Sequence, residues 1–280
     1  MSFTANCHGA TDEGWIETTL DLDEEGVHVH MEDRLGPRQC LQKLPGLACE
    51  AAKLRLMAAL VHLVSHADVD NPESVVEGSL TGFGLSPHGL DQARRIGRYL
   101  GPRAVVAIWS SPMEHSLRTA EEIAARSGVP VRVDGDLREW SLTERWQGHP
   151  WRYLTEEFPG ELEQYLEHPH ELDFVDETLA QVADRTSAVA RRLDKEHPHG
   201  DIVIVSHQDP IQAARLLLTG SDLSGLHDHK PSTATVLTLR PGVTWVEETV
   251  WKPGDSPDFG NKSDLRVVAT TNSPEPPTSA

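Results

Sequence analysis

Short apolar runs constrain this chain more than any other feature. "ALVHLV" (59–64), "AVVAIW" (104–109) and "DIVIVS" (201–206) are almost free of polar residues. Runs of that length between turn signals read as strands buried on both faces. Helical patterns separate them. Ser86 is a candidate N-cap with Pro87 at the first helical position, and Leu90, Ala93, Ile96 and Leu100 share one face. Ser111 and Glu114 read as a capping box around Pro112, and Gly128 as that helix's stop. Leu179, Val182, Val189 and Leu193 mark another helix, and one more is expected from Pro210 to about Gly220. "VPVRV" reads as a short strand, and "TATVLTLR" with "TWVEETVW" as a closing pair. Strands alternating with helices imply an α/β fold: three α/β/α layers around a mostly parallel sheet. In 280 residues with 38% hydrophobic content there is ample material for that core.

The ends read differently. Residues 1–56 form an N-terminal extension with a hairpin around "EEG" and a short helix near Leu47–Arg55. The main domain is expected over 57–252, with an irregular Trp-, His- and Glu-rich insertion at 137–175. The stretch 253–280 is rich in Pro, Ser, Thr and Asp and reads as disordered. Neither a signal-peptide pattern nor an apolar membrane span is present, so a cytoplasmic location is expected. Cys7, Cys40 and Cys49 match no metal motif and fit free thiols in a reducing compartment. A net charge of −19 argues against nucleic acid and anionic membrane as partners. It also opposes anionic substrates unless a site carries strong local positive charge. No metal spacing or cofactor motif is evident; a small-molecule substrate is expected, and a homo-oligomer is left open.

In sheets of this kind, ligands bind beyond the carboxyl ends of the strands. His66 and His207 each follow a buried strand and so fall on that edge. Their surroundings resemble the histidine phosphatase superfamily, the phosphoglycerate mutase-like fold. The family's opening "R-H-G" is Ser65-His66-Ala67 here. One branch continues as "Y-G-R-L-x-G-F-x-L-S-x-x-G-x-x-Q-A" after Asn-Pro, and "NPESVVEGSLTGFGLSPHGLDQA" (71–93) is similar. "SSPMEHSLRTA" (110–120) resembles "S-S-P-L-x-R-x-x-Q-T-A". Leu137, Glu139, Trp146 and Gly148 match an "L-x-E" followed by "W-x-G", and "VSHQDPI" (205–211) matches "V-S-H-G-x-x-I". The motifs run in order over about 57–252.

The resemblance implies a nucleophilic role for His66, oxygen-holding by His207 and leaving-group protonation by Glu139. It also implies arginines that clamp phosphoryl oxygens in forked geometry. Those are what this chain has changed. Ser65, Ser79 and His115 stand where the family carries arginine, and Gln208 replaces a glycine. Losing one preorganised donor costs about 10²–10³ in rate, so three losses would remove about six orders of magnitude. Arg118, one turn after His115, is the nearest candidate to rebuild the clamp. Ser65, Asn71, Ser79, His115, Arg118, Gln208 and Trp146 are the expected substrate-binding residues, with Trp140, Trp146 and Trp151 as an apolar wall.

Three readings follow in order of preference. The first is a diverged enzyme using His66, His207 and Glu139 on a small, weakly charged metabolite, with poor or no ordinary phosphatase activity. The second is a phosphomonoesterase or phosphomutase working through phosphohistidine at His66, with Arg118 and His115 as the clamp. The third is a non-catalytic binding protein on the same scaffold.

Overall fold

The computed structural model describes residues 3–11, 14–23, 26–31 and 59–254, the first three segments as backbone only. The chain divides into two compact units between Ala58 and Ala59. In the first, strands β1 (Phe3–Thr11), β2 (Gly14–Asp23) and β3 (Gly26–Met31) make a three-stranded antiparallel sheet. Asp23 pairs with Gly26 across the "EEG" turn, where the hairpin was expected, while β1 adds a strand that the hairpin reading lacked. The helix read near 47–55, and the tail beyond Gly254, lie outside the described residues.

The second unit is built on strands β4 (Val61–Ser65), β5 (Val105–Ser110), β6 (Val131–Val133), β7 (Asp201–Ser206), β8 (Val236–Arg240) and β9 (Val246–Trp251). They form one sheet in the order β6-β5-β7-β4-β8-β9. The first four are mutually parallel, and β8 and β9 close the far edge antiparallel. Four longer helices cover it: α1 (Pro87–Leu100), α2 (Glu114–Ser127), α6 (Leu179–Glu196) and α7 (Gln208–Thr219). Three short ones, α3 (Leu142–Arg145), α4 (Leu154–Glu157) and α5 (Glu161–Glu167), lie in the 137–175 insertion.

Side-chain alternation along each strand splits the core between two faces. Val61, Leu63, Ile202 and Ile204 pack against Val189 and Leu193 of α6 and Ile211 and Leu218 of α7. On the other face Val64, Ile108, Val203 and Val205 meet Ala93 and Ile96 of α1 and Ala120 and Ile123 of α2. His62, the one break in the β4 run, is fully buried. It is satisfied on both sides: Nδ1 lies 2.9 Å from the Thr238 hydroxyl and Nε2 3.1 Å from Asp201 Oδ2. The insertion has its own apolar cluster, in which Trp140, Trp146, Leu154 and Tyr165 pack on Leu179 and Val182 of α6.

Two helix starts differ from expectation. The N-cap of α2 is Met113, with no side-chain cap, so the Ser111–Glu114 capping box does not form. The Ser111 hydroxyl instead bonds the His207 ring at 2.8 Å. Helix α7 begins two residues before Pro210, at Gln208.

Helix α1 shows why its motif has that spelling. The Ser86 hydroxyl accepts from the Gly89 peptide N–H and donates to Asp68 Oδ2 at 2.6 Å, tying the helix start to the loop after His66. A Cβ on Gly89 would lie 1.9 Å from the Asp68 carbonyl oxygen. Helix and loop touch only because that position carries no side chain. Gly89→Ala should therefore cost about 1–3 kcal/mol in denaturant unfolding, the usual range for forced overpacking. A change within about 0.5 kcal/mol, typical of an unconstrained surface site, would contradict the close approach.

Candidate functional site

Strand register assembles the site. Strands β4 and β7 pair in parallel with Ser65 opposite Ser206, so His66 and His207 leave neighbouring strands at the same level. The His66 peptide N–H donates to the Ser206 carbonyl at 3.0 Å. On the other side of β7, β5 runs in parallel into Ser111 and then α2, whose first turn carries His115. The three imidazoles form one buried cluster. Ring centroids lie 4.2 Å apart for His66–His115 and 5.2 Å for both His66–His207 and His115–His207.

Each ring has one nitrogen engaged outside the cluster. His66 Nδ1 donates to the Ala67 carbonyl at 2.9 Å, and His115 Nδ1 to that of Phe83 at 3.3 Å. His207 Nε2 bonds the Ser111 hydroxyl. His115 Nε2 then faces His207 Nδ1 at 3.4 Å. Glu139 Oε2 approaches His207 Nδ1 at 3.8 Å, while its Oε1 accepts the Trp140 N–H at 2.7 Å.

Burial governs the electrostatics. It pushes His115 down to about 3, with His66 beside it adding to the effect. It lowers His66 as well, and it takes His207 well below the usual range, reinforced by the other two rings. It drives the Glu139 carboxyl up to about 8, with Asp209 as the second cause. At neutral pH, the site is three neutral imidazoles beside a carboxylic acid that keeps its proton.

A pocket of about 330 Å³ opens over the cluster. Asp68, Glu77 and Glu139 line it, together with Asn71, Trp151 and Gln208, and no described arginine or lysine does. Nearby cations are committed elsewhere. Lys230 pairs with buried Asp209 and donates to the Tyr165 hydroxyl at 2.8 Å. Arg185 holds Glu177 and the carbonyls of Asp136, Arg138 and Glu139. A larger cleft of about 770 Å³ shares Gly78, Met113, His115, Glu139 and Thr143 with the pocket.

Of the residues expected to act together, His66, His207, Glu139, His115, Asn71 and Gln208 meet in this pocket. Four do not. Ser65 points into the sheet's core, buried, its hydroxyl without a partner. Ser79 is exposed on the larger cleft and bonded to Gln147. Arg118 lies at the rim of that cleft, its guanidinium held by Glu121 and Glu122 at 2.9 Å each, so it rebuilds no clamp over His66. Trp146 belongs to the insertion's core, its indole N–H on Glu161, and Trp151 is the tryptophan that lines the histidine pocket. Sequence reasoning missed Ser111, because Ser-x-x-Glu before a helix spelled a cap. It also missed Glu77 and Lys230, for which no local pattern exists.

Comparison with known proteins gives the family. The model of the histidine phosphatase superfamily (branch 1) matches residues 61–249. The chain belongs to that superfamily. It is 33% identical over 179 residues to an uncharacterized protein of Mycobacterium tuberculosis, covering 58% of this chain and 80% of that one. It is 31% identical over 164 residues to phosphoserine phosphatase 1 of Hydrogenobacter thermophilus, covering 58% and 77%. Among solved structures, a mycobacterial glucosyl-3-phosphoglycerate phosphatase aligns with a TM-score of 0.61 at 25% identity, over 70% of this chain and 99% of that one. The described residues include no helix long and apolar enough to cross a membrane.

The raised Glu139 group has a testable sign. Its folded state holds the proton more tightly than the unfolded chain, so its contribution is complete below the ordinary value of 4.5 and is lost as pH rises through about 8. Glu139→Gln should flatten the stability–pH curve over that interval and leave it unchanged below. Parallel unfolding curves for the two proteins from pH 5 to 9 would rule out a buried, protonated Glu139.

Proposed function

We propose that the protein is a hydrolase of this superfamily whose pocket has turned from phosphate dianions to a small, weakly charged metabolite. One observation carries the reading: the pocket over His66 is lined by three carboxyl-bearing residues and by no described arginine or lysine. Phosphoryl transfer is mostly positioning and charge stabilisation, and a dianion there would face Asp68, Glu77 and Glu139 beside neutral imidazoles, with no described arginine or lysine to offset them. A polar, weakly charged substrate avoids that cost. His66 and His207 then serve as base or nucleophile, and Glu139, with its retained proton, as the general acid. Asn71 and Gln208 are amide contacts at the rim.

A second reading keeps phosphomonoester hydrolysis through phosphohistidine at His66. The first turns of α2 and α7 reach the pocket through His115 and Gln208, and helix N-termini favour anions. Relatives named as phosphoserine and glucosyl-3-phosphoglycerate phosphatases favour it too.

A phosphate-release assay over a broad panel of phosphomonoesters, with His66→Ala as control, separates the two. The first reading expects no turnover above the control, and expects hydrolysis of uncharged or zwitterionic metabolites that both His66→Ala and Glu139→Gln abolish. Robust phosphate release that disappears in His66→Ala would replace it with the second.

A further inference from the structure

The same three imidazoles suit a task that neither reading assigns. One ring nitrogen from each of His66, His115 and His207 lies within 4.8 Å of the others, and all three residues are buried. The outward nitrogens are fixed by Ala67 O, Phe83 O and the Ser111 hydroxyl. Histidine ligands of metals are held in this way, with the second N–H donated to a carbonyl or other acceptor so that the free lone pair points at the ion. The atoms left inside the cluster are His66 Nε2, His115 Nε2 and His207 Nδ1, and an ion would replace the hydrogen bond between the last two. Two tetrahedral ligands at the usual zinc–nitrogen distance of about 2.0–2.1 Å stand roughly 3.3 Å apart. The His115 Nε2–His207 Nδ1 separation is 3.4 Å.

We propose that His66, His115 and His207 form a three-histidine site for a divalent ion of the zinc class, with the fourth position open to the pocket. The field favours a cation. Asp68 and Glu77 line the pocket, Glu77 Oε2 lying 3.7 Å from His115 Nδ1, and no described arginine or lysine does. Ser111 is then a positioning residue: its oxygen accepts the Met113 N–H and lies 2.8 Å from His207 Nε2. With an ion on Nδ1, the ring carries its proton on Nε2 and donates it to the second lone pair of that oxygen. Three protein ligands and an open position are the pattern of zinc sites that activate water. An ion there occupies His66 Nε2, so metal binding and phosphohistidine formation exclude each other on this chain.

The inference rests on ligand geometry and not on the substrate proposed above, and its test needs no turnover. The full chain is stripped with a chelator and titrated with Zn²⁺ against a chromophoric competitor, followed by Co²⁺ for its visible spectrum. The expected result is one tight equivalent per chain and the intense visible bands of four-coordinate cobalt. Ser111→Ala, which keeps all three ligands, should weaken binding roughly 10–100-fold, as loss of an outer partner does. His115→Ala should weaken it further, and His88→Ala, at an exposed position on α1, should change nothing. Circular dichroism establishes that each variant is folded. If a variant is unfolded, Ser111→Ala and the cobalt spectrum decide. The absence of a stoichiometric site in the wild type, or undiminished affinity in folded His115→Ala and Ser111→Ala, would overturn the proposal.

Discussion

The parallel pairing of β4 with β7 is the contact on which the site depends. Because Ser65 lies opposite Ser206, two histidines from distant parts of the chain emerge side by side, and the Ser206 carbonyl fixes the first of them. A slip of one residue would turn one of the two side chains to the other face of the sheet. Register is protected by burial on both faces: every residue of β4 is buried, and Val61, Leu63 and Val64 belong to the two apolar clusters that the helices close. The hydrophobic effect that stabilises the sheet is thus also what sets the spacing of the imidazoles.

The second determinant is what stands at the positions where the resemblance implies arginines. A long cationic side chain at position 115 would bring fixed charge to the pocket. A buried histidine there brings a neutral ring tilted against His66, with Nε2 3.4 Å from His207 Nδ1. Ser65 leaves the site altogether, and the only arginine one turn further along α2 is spent on Glu121 and Glu122. On the proposed reading, the pocket holds the two histidines and the acid that the resemblance implies and lines them with carboxyl groups where it implies arginines. That difference is the physical ground for separating fold membership from phosphate chemistry.

Much of this was legible in the sequence because the relevant patterns are local. Buried strands appear as apolar runs, α1 announces itself through Ser86 and Pro87, and α2 ends at Gly128 in the left-handed conformation. His66, His207, Glu139 and His115 were found because family motifs name those positions. What escaped depends on three-dimensional competition. Ser111 had two possible partners, a helix N-terminus and the His207 ring, and only folding brings the second within reach. Trp146 was counted as a pocket wall because it clusters with Trp140 and Trp151 in a short irregular stretch, yet the insertion folds a core around it with Tyr165 and Leu179. Arg118 was aimed inward on helical spacing alone, and two acidic residues on the same helix pull it to the surface.

The central claim is that the pocket over His66 no longer holds a phosphate-like oxyanion by itself. Binding of orthovanadate to the metal-free full chain, followed by isothermal titration calorimetry, tests it most directly. No saturable binding up to millimolar concentration is the result this account predicts. Micromolar binding that His66→Ala removes would mean that an anion clamp survives among the histidines, and the account would be wrong.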